Sequence, residues 1–187
     1  MQLTGGRFTE TTAVFGNDLS TLPDFPAEIR APAGSLAGVS AFQIKFSSKD
    51  IHTPGDAPNV LVAMNPAALK VHQQDVAPGG TIICNTNAFT PKNLKLAGYE
   101  SNPLEDKTLE DYYTVYSIEM VKIVATSCEG QNMPSNSVDS TNNFFALRLL
   151  YWLYDRPTYP PNHLIAIKFD KKHHLIDANS RSMDAAF

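Results

Sequence analysis

Apolar and polar positions along this chain switch between two spacings, and each switch marks an element. Between Asn59 and Thr86, "NVLVAMN" is a continuous apolar run, as expected of a strand covered on both faces. Asn65 then stands where an N-cap belongs, with Pro66 at the first helical position. "PAALKVHQQDVA" predicts a helix that stops before Gly79 and Gly80, and a second apolar run, "TIICN", follows. Strand, helix and strand in that order predict a βαβ unit, with parallel strands and a right-handed crossover.

Other patterns fit around this unit. "SAFQIKFSS" alternates Phe42, Ile44 and Phe46 with polar neighbours, a strand with one buried face. "DIHTPGDAP" reads as a turn-rich connector, "YYTVYSI" as a strand and "EMVKIVATSC" as a helix. From Asp139 to Arg156 the chain is apolar nearly all round, which predicts a deeply buried helix ended by Pro157. Two short helices, around His163 to Asp170 and His173 to Ala185, are expected to close the domain. The polar stretch from Thr86 to Asp111, with Pro91 and Pro103, reads as an irregular excursion. Alternation of this kind predicts a three-layer α/β/α sandwich around a mostly parallel sheet.

Composition narrows the class. A chain of 187 residues suits one domain. With 43% hydrophobic and 18% charged residues it has the balance of a soluble globular protein. A net charge of −4 gives no reason to expect nucleic acid, which calls for a basic face. No apolar run reaches the roughly 18 residues that a bilayer span needs. "MQLTGGRFTE" lacks a basic segment followed by an apolar one, so the expected location is cytoplasmic. Cys84 and Cys128 form no CxxC and read as two small, semi-buried residues rather than a disulfide.

Candidate chemistry is sparse. Ligands of open α/β sheets bind beyond the carboxyl ends of the strands, which points at Asn65, Asn85 and Thr86. Asn65 already has a capping role to fill. Thr4 to Gly6 precedes a helical stretch and could offer amides to an anion, but the GxGxxG spacing is incomplete. The five histidines show no HExxH spacing, and there is no GxSxG. Arg148 interrupts an apolar helix and shares a face with Phe144 and Trp152 at spacing four, which suits stacking on the indole. Residue chemistry points to no catalytic machinery.

One further stretch, "PDFPAEIRAPAGSLAGVSAFQIKFSS", holds Glu28 and Arg30 between Pro26 and Pro32 and then runs into small side chains. Followed by "VLVAMNPAAL" and "APGGTIICNT", it strongly resembles the gamma domain of 2-oxoacid:ferredoxin oxidoreductases, most of all the domain that opens the alpha subunit of 2-oxoglutarate-type enzymes. "NNFFALRLLYWLYDRP" and "LIDANSRSMDAAF" look like that family's closing helices, so the resemblance covers the whole chain. It implies one gamma-type domain over residues 1–187 with a Rossmann-like fold. In the family a strand and a "GQGM"-like loop open the domain, whereas this chain begins inside that loop. The first strand is therefore expected to be missing, with a sheet edge or central slot left unpaired. Arg148 stands where the family usually has Gly. The chain also ends at Phe187, where a fused alpha subunit would continue, so a gamma domain standing alone is expected.

The resemblance implies a role within a larger enzyme that oxidatively decarboxylates a 2-oxoacid (2-oxoglutarate or pyruvate), attaches the acyl group to coenzyme A and passes electrons to ferredoxin. Thiamine diphosphate, magnesium and the iron–sulfur cluster are expected in the partner alpha and beta domains or subunits, with no cofactor bound by this chain alone. Ferredoxin would be reached indirectly. The implied contribution is assembly and the approach of coenzyme A, through Glu28, Arg30, Ala31, Pro32, Gly34, Asn65 and Thr86. Small residues from Ala31 to Gly38 would let a pantetheine arm or another backbone come close, and Arg30 suits phosphate. A locally packed loop with an internal ion pair is the competing reading of that stretch. For the whole chain, the competing reading is an independent nucleotide-binding or docking module.

Overall fold

Three short parallel strands lie side by side, and their alternating side chains divide the interior into layers. The computed structural model describes residues 2–25, 35–127 and 135–156, together with 180, 181 and 184; over 135–140 it describes the backbone. The elements are α1 (Gln2–Val14), β1 (Asp18–Asp24), β2 (Ala41–Ser47), β3 (Val60–Ala63), α2 (Pro66–His72), β4 (Thr81–Asn85), α3 (Pro91–Leu96), β5 (Thr114–Ile118), α4 (Met120–Ser127) and α5 (Ser135–Leu153). β3, β4 and β5 form a parallel sheet in that order, with Val60 opposite Thr81 and Thr81 opposite Thr114. β1 and β2 form a separate antiparallel pair, with Leu19 opposite Phe46 and Leu22 opposite Gln43.

The period of two in each strand assigns its residues to opposite faces. Ile82 and Cys84 of β4 join Leu61, Ala63, Leu69 and Phe89 on the face that α2 covers. Ile83 joins Val60, Val62, Met120, Val124 and Phe145 on the other face, under α4 and α5. Both faces are covered, so the sheet is the middle of three layers and the chain has a Rossmann-like α/β fold. A third cluster, Phe8, Phe144, Leu147 and Tyr151 with Ile44 and Phe46, ties α1 and β2 to α5. α5 thus feeds two cores from two sides, which is why its sequence is apolar nearly all round.

The βαβ unit forms as its pattern predicts. Asn65 Oδ1 accepts the N–H of Ala68 at 2.9 Å, and Pro66 opens α2. The helix stops earlier than expected, at His72, and a tighter 3₁₀ turn over Gln73–Asp75 completes the passage to Gly79. Gly79 holds φ at +74°, a left-handed turn that suits glycine. The run from Thr86 to Asp111 is less irregular than expected. It contains α3, opened by Thr90 as N-cap and Pro91, with Thr90 Oγ1 accepting from Asn93 N at 3.3 Å. Polarity hid this helix, because one turn and a half gives no periodicity to read.

Three other expectations change. Thr4 to Gly6 does not precede a helix but lies within the opening turns of α1. β1 went unpredicted, because "DLSTLPD" contains a proline and leaves most of its length exposed. Deep burial of α5 holds from Phe144 to Leu147 and at Tyr151, but Trp152 is 56% exposed. The helix expected around His163 to Asp170 lies outside the described residues, as does Cys128; within His173 to Ala185, residues 180, 181 and 184 are described and helical. Among the described residues, no helix is long and apolar enough to cross a membrane.

Candidate functional site

The carboxyl ends of β3 and β4 open onto a ring of asparagines, each placed by a different element. Asn65 follows β3 and caps α2 through its side chain. Asn87 reaches across to α4, where its Oδ1 accepts the N–H of Val121 at 2.9 Å and of Lys122 at 3.3 Å. Those are first-turn donors without intrahelical partners, so Asn87 caps a helix that begins some thirty residues after it. Asn85 ends β4, and Asn142 sits in the first half of α5; they are 4% and 5% exposed. The Oδ1 atoms of both are buried without a hydrogen-bond partner. Beside them, Thr4 of α1 donates to the carbonyl of Asn143 at 3.0 Å, which fixes α1 against α5 at this end.

These asparagines line one end of a cavity of about 830 Å³. It runs between β2 and β3 under α1, and its far end reaches Pro58, His72 and Asp75 beside the start of β3. Its long walls are apolar, from Phe8, Phe42 and Ile44 on one side to Val60 and Val62 on the other. His72 Nδ1 lies 3.0 Å from Asp75 Oδ2, while its Nε2 is buried without a partner. The site therefore combines an apolar trough with amide acceptors at one end. The same lining also carries the His72 imidazole and the Asp75 carboxylate.

Burial shifts several titratable groups elsewhere in the fold. Burial pushes the Cys84 thiol up to about 12, so it stays protonated and unreactive at neutral pH. Tyr99 is pushed up to about 12 by burial, with Cys84 adding to the shift. Burial lowers the Arg148 guanidinium, and the charge of Asp184 opposes that shift. Among the described residues, no three His, Cys, Asp or Glu side chains converge on one point.

Of the residues singled out from sequence, Asn65 lines the cavity and caps α2. Thr86 starts a 3₁₀ turn just past β4 and buries its Oγ1 without a partner. Glu28, Arg30, Ala31, Pro32 and Gly34 lie outside the described residues. Sequence reasoning missed Asn142 and Asn87. The signal for Asn142 was present: in "NNFFALRLL" a polar pair opens an apolar helix, where burying an amide needs a reason.

The three-layer α/β arrangement, with a cavity that reaches the carboxyl ends of β3 and β4, is of Rossmann-like class. Residues 1–187 match the pyruvate ferredoxin/flavodoxin oxidoreductase family, and the chain belongs to it. Over all 187 residues it is 46% identical to 2-oxoglutarate oxidoreductase subunit KorA of Mycobacterium tuberculosis, of which it spans 28%. Solved structures share the fold at lower identity. The 2-oxoglutarate:ferredoxin oxidoreductase of Magnetococcus marinus, solved with 2-oxoglutarate, coenzyme A and succinyl-CoA bound, is 20% identical with a TM-score of 0.69. The match covers 98% of this chain and 27% of that one. Pyruvate oxidoreductase subunit PORC of Thermotoga maritima is 16% identical with a TM-score of 0.57, over 98% of this chain and 85% of that one. The gamma subunit of a keto/oxoacid ferredoxin oxidoreductase from Geobacter sulfurreducens is 12% identical with a TM-score of 0.56, over 98% and 89%. The same fold thus occurs as a separate subunit and as about a quarter of a longer chain.

Proposed function

We propose that this chain is the non-catalytic gamma-type domain of a 2-oxoacid:ferredoxin oxidoreductase, with 2-oxoglutarate as the substrate class. The observation that carries this is the 46% identity, sustained over every residue of the chain, to a 2-oxoglutarate oxidoreductase subunit. The described site suits a supporting role, since most of its lining is apolar surface with amide side chains at one end. Thiamine diphosphate, magnesium and the iron–sulfur cluster would sit in the alpha- and beta-type partner domains, and ferredoxin would dock on those. Glu28 and Arg30, held between Pro26 and Pro32, would engage either a partner domain or the phosphates of coenzyme A. Ala31, Pro32 and Gly34 would allow close approach, and Asn65 and Thr86 would border the sheet's carboxyl edge.

The test is purification of the native complex through a tag on this chain, followed by activity measurements with and without Arg30→Ala. Co-purification of chains carrying thiamine diphosphate and an iron–sulfur cluster, with 2-oxoglutarate-dependent ferredoxin reduction, is the expected result. Arg30→Ala should raise the KM for coenzyme A or weaken assembly, with kcat changed less. A chain that purifies without partners and binds nucleotide by itself would instead establish an independent module.

A further inference from the structure

Gln2 stands in the first turn of α1, where a Gln side chain commonly serves the free N–H groups of its own helix. Here it serves another part of the chain. Its Nε2 donates to the carbonyl of Asp24 at 3.0 Å, to Ser40 Oγ at 3.1 Å and to the carbonyl of Ala41 at 2.8 Å. Ser40 Oγ in turn donates to the carbonyl of Asp24 at 3.1 Å. Asp24 and Ala41 are the last pair of the β1–β2 ladder, so residues 25–40 connect those strands. A two-residue hairpin turn fixes its own register, whereas a connection of this length leaves the last pair to fray unless something else holds it. One amide group holds both of its roots.

It does so from a fixed platform. Thr4 ties α1 to the carbonyl of Asn143, and Gly5 lets the helix lie close against Phe42, next to Ala41. The returning leg has its own support: Gly38 N donates to Ser35 O at 3.0 Å, and the 3₁₀ turn Leu36–Gly38 lies against α2. Asp24, Ser40 and Ala41 line the cavity together with Asn65, so both roots border the space beside the carboxyl end of β3.

We infer that Gln2 is a positioning residue, which sets where the connection carrying Glu28 and Arg30 leaves and rejoins the β-pair, and through it where Arg30 is presented. The inference rests on the role proposed above for Arg30. Its chemistry is donation: two carbonyl oxygens and a hydroxyl converge on one nitrogen, and the hydroxyl passes a further hydrogen bond to Asp24. An ammonium group has three donors for the same three acceptors. A carboxylate at that place would face two carbonyl oxygens with nothing to give them.

The test has two arms. In the 187-residue chain, cleavage by an arginine-specific protease is followed by mass spectrometry, with Arg30 as the reporter and Arg7 of α1 and Arg148 of α5 as controls. Gln2→Ala and Gln2→Glu should speed cleavage after Arg30 by about 10-fold, with the controls and the melting temperature changing little. Gln2→Lys keeps the donors and should return cleavage close to the parent rate. Ser40→Ala, which leaves α1 untouched, should act in the same direction as Gln2→Ala. Unchanged cleavage at Arg30, equal acceleration at Arg7 and Arg148, or a Lys variant no better than Ala would each overturn the inference. In the native complex, Gln2→Ala should raise the KM for coenzyme A by about 3–10-fold with kcat changed less, and add nothing where Arg30→Ala is already present. Effects that add would show that Gln2 does not act through Arg30, which also overturns it. If Arg30→Ala itself alters neither KM nor assembly, the role proposed for Arg30 fails, while the cleavage arm still decides whether Gln2 positions this connection.

Discussion

At the scale of single residues, the interior holds several groups that burial keeps in their neutral form. Cys84 and Tyr151 are fully buried, and both are pushed up to about 12, chiefly by burial. For Tyr151 the hydrogen bond with Thr11 Oγ1, 2.7 Å long, works against the shift without cancelling it. Tyr154 moves in the same direction for the same reason. In the unfolded chain these groups ionise near their ordinary values of 9.0 for the thiol and 10.0 for the phenol. Between those values and about 12 the unfolded state binds fewer protons than the folded one, so stability falls as pH rises. Their contribution is complete below pH 9 and is lost toward pH 12. Urea melts at pH 8 and pH 11 should show a midpoint that drops by a few kcal/mol equivalent, and Tyr151→Phe should reduce that drop. A midpoint independent of pH over this range would mean that these groups are hydrated in the folded state.

At the scale of elements, α1 shows how a pair of glycines can have opposite meanings. A Cβ on Gly5 would lie 2.4 Å from two ring atoms of Phe42 and 2.9 Å from its Cβ, whereas one on Gly6 would meet nothing within 4 Å. Gly5 is what lets the helix lie close against β2. Gly6→Ala is expected to stabilise by up to about 1 kcal/mol through helix propensity. Gly5→Ala gains the same propensity but must displace Phe42, so it should destabilise by about 1–3 kcal/mol. Thermal melts of the two variants should move in opposite directions. No composition rule separates these adjacent glycines, and in the sequence they read together as a stretch ahead of the helix. The βαβ unit was legible because its signals are local: an apolar run, a capping Asn, a proline and a glycine stop. β1 and the surroundings of Asn142 depend on partners distant in sequence, and the six-residue α3 is too short to show a period. Leu19 finds Phe46, and Asn142 meets a cavity walled by residues from seven other helices and strands.

At the scale of the whole molecule, the two sheets share no hydrogen-bonded edge among the described residues, and α5 packs into the cores of both. Phe145 of α5 enters the cluster on the parallel sheet, while the adjacent Phe144 and Leu147 enter the cluster with α1 and β2. If those clusters were separate units, a cavity in one would lower its own melting transition and leave the other in place. Because α5 must be helical and correctly placed to serve either, loss of one side removes the frame of the other, and the molecule should unfold in a single step. Phe145→Ala and Leu147→Ala should each cost about 2–5 kcal/mol, by loss of buried area and creation of a cavity. For a chain of this length that is on the order of 5–20 °C in melting temperature. Circular dichroism at 222 nm and hydrogen exchange at β2 and β4 would then report one shared transition in each variant. Exchange that rises at β2 alone in Leu147→Ala, with β4 unaffected, would show two independent units and would remove α5 from its joining role.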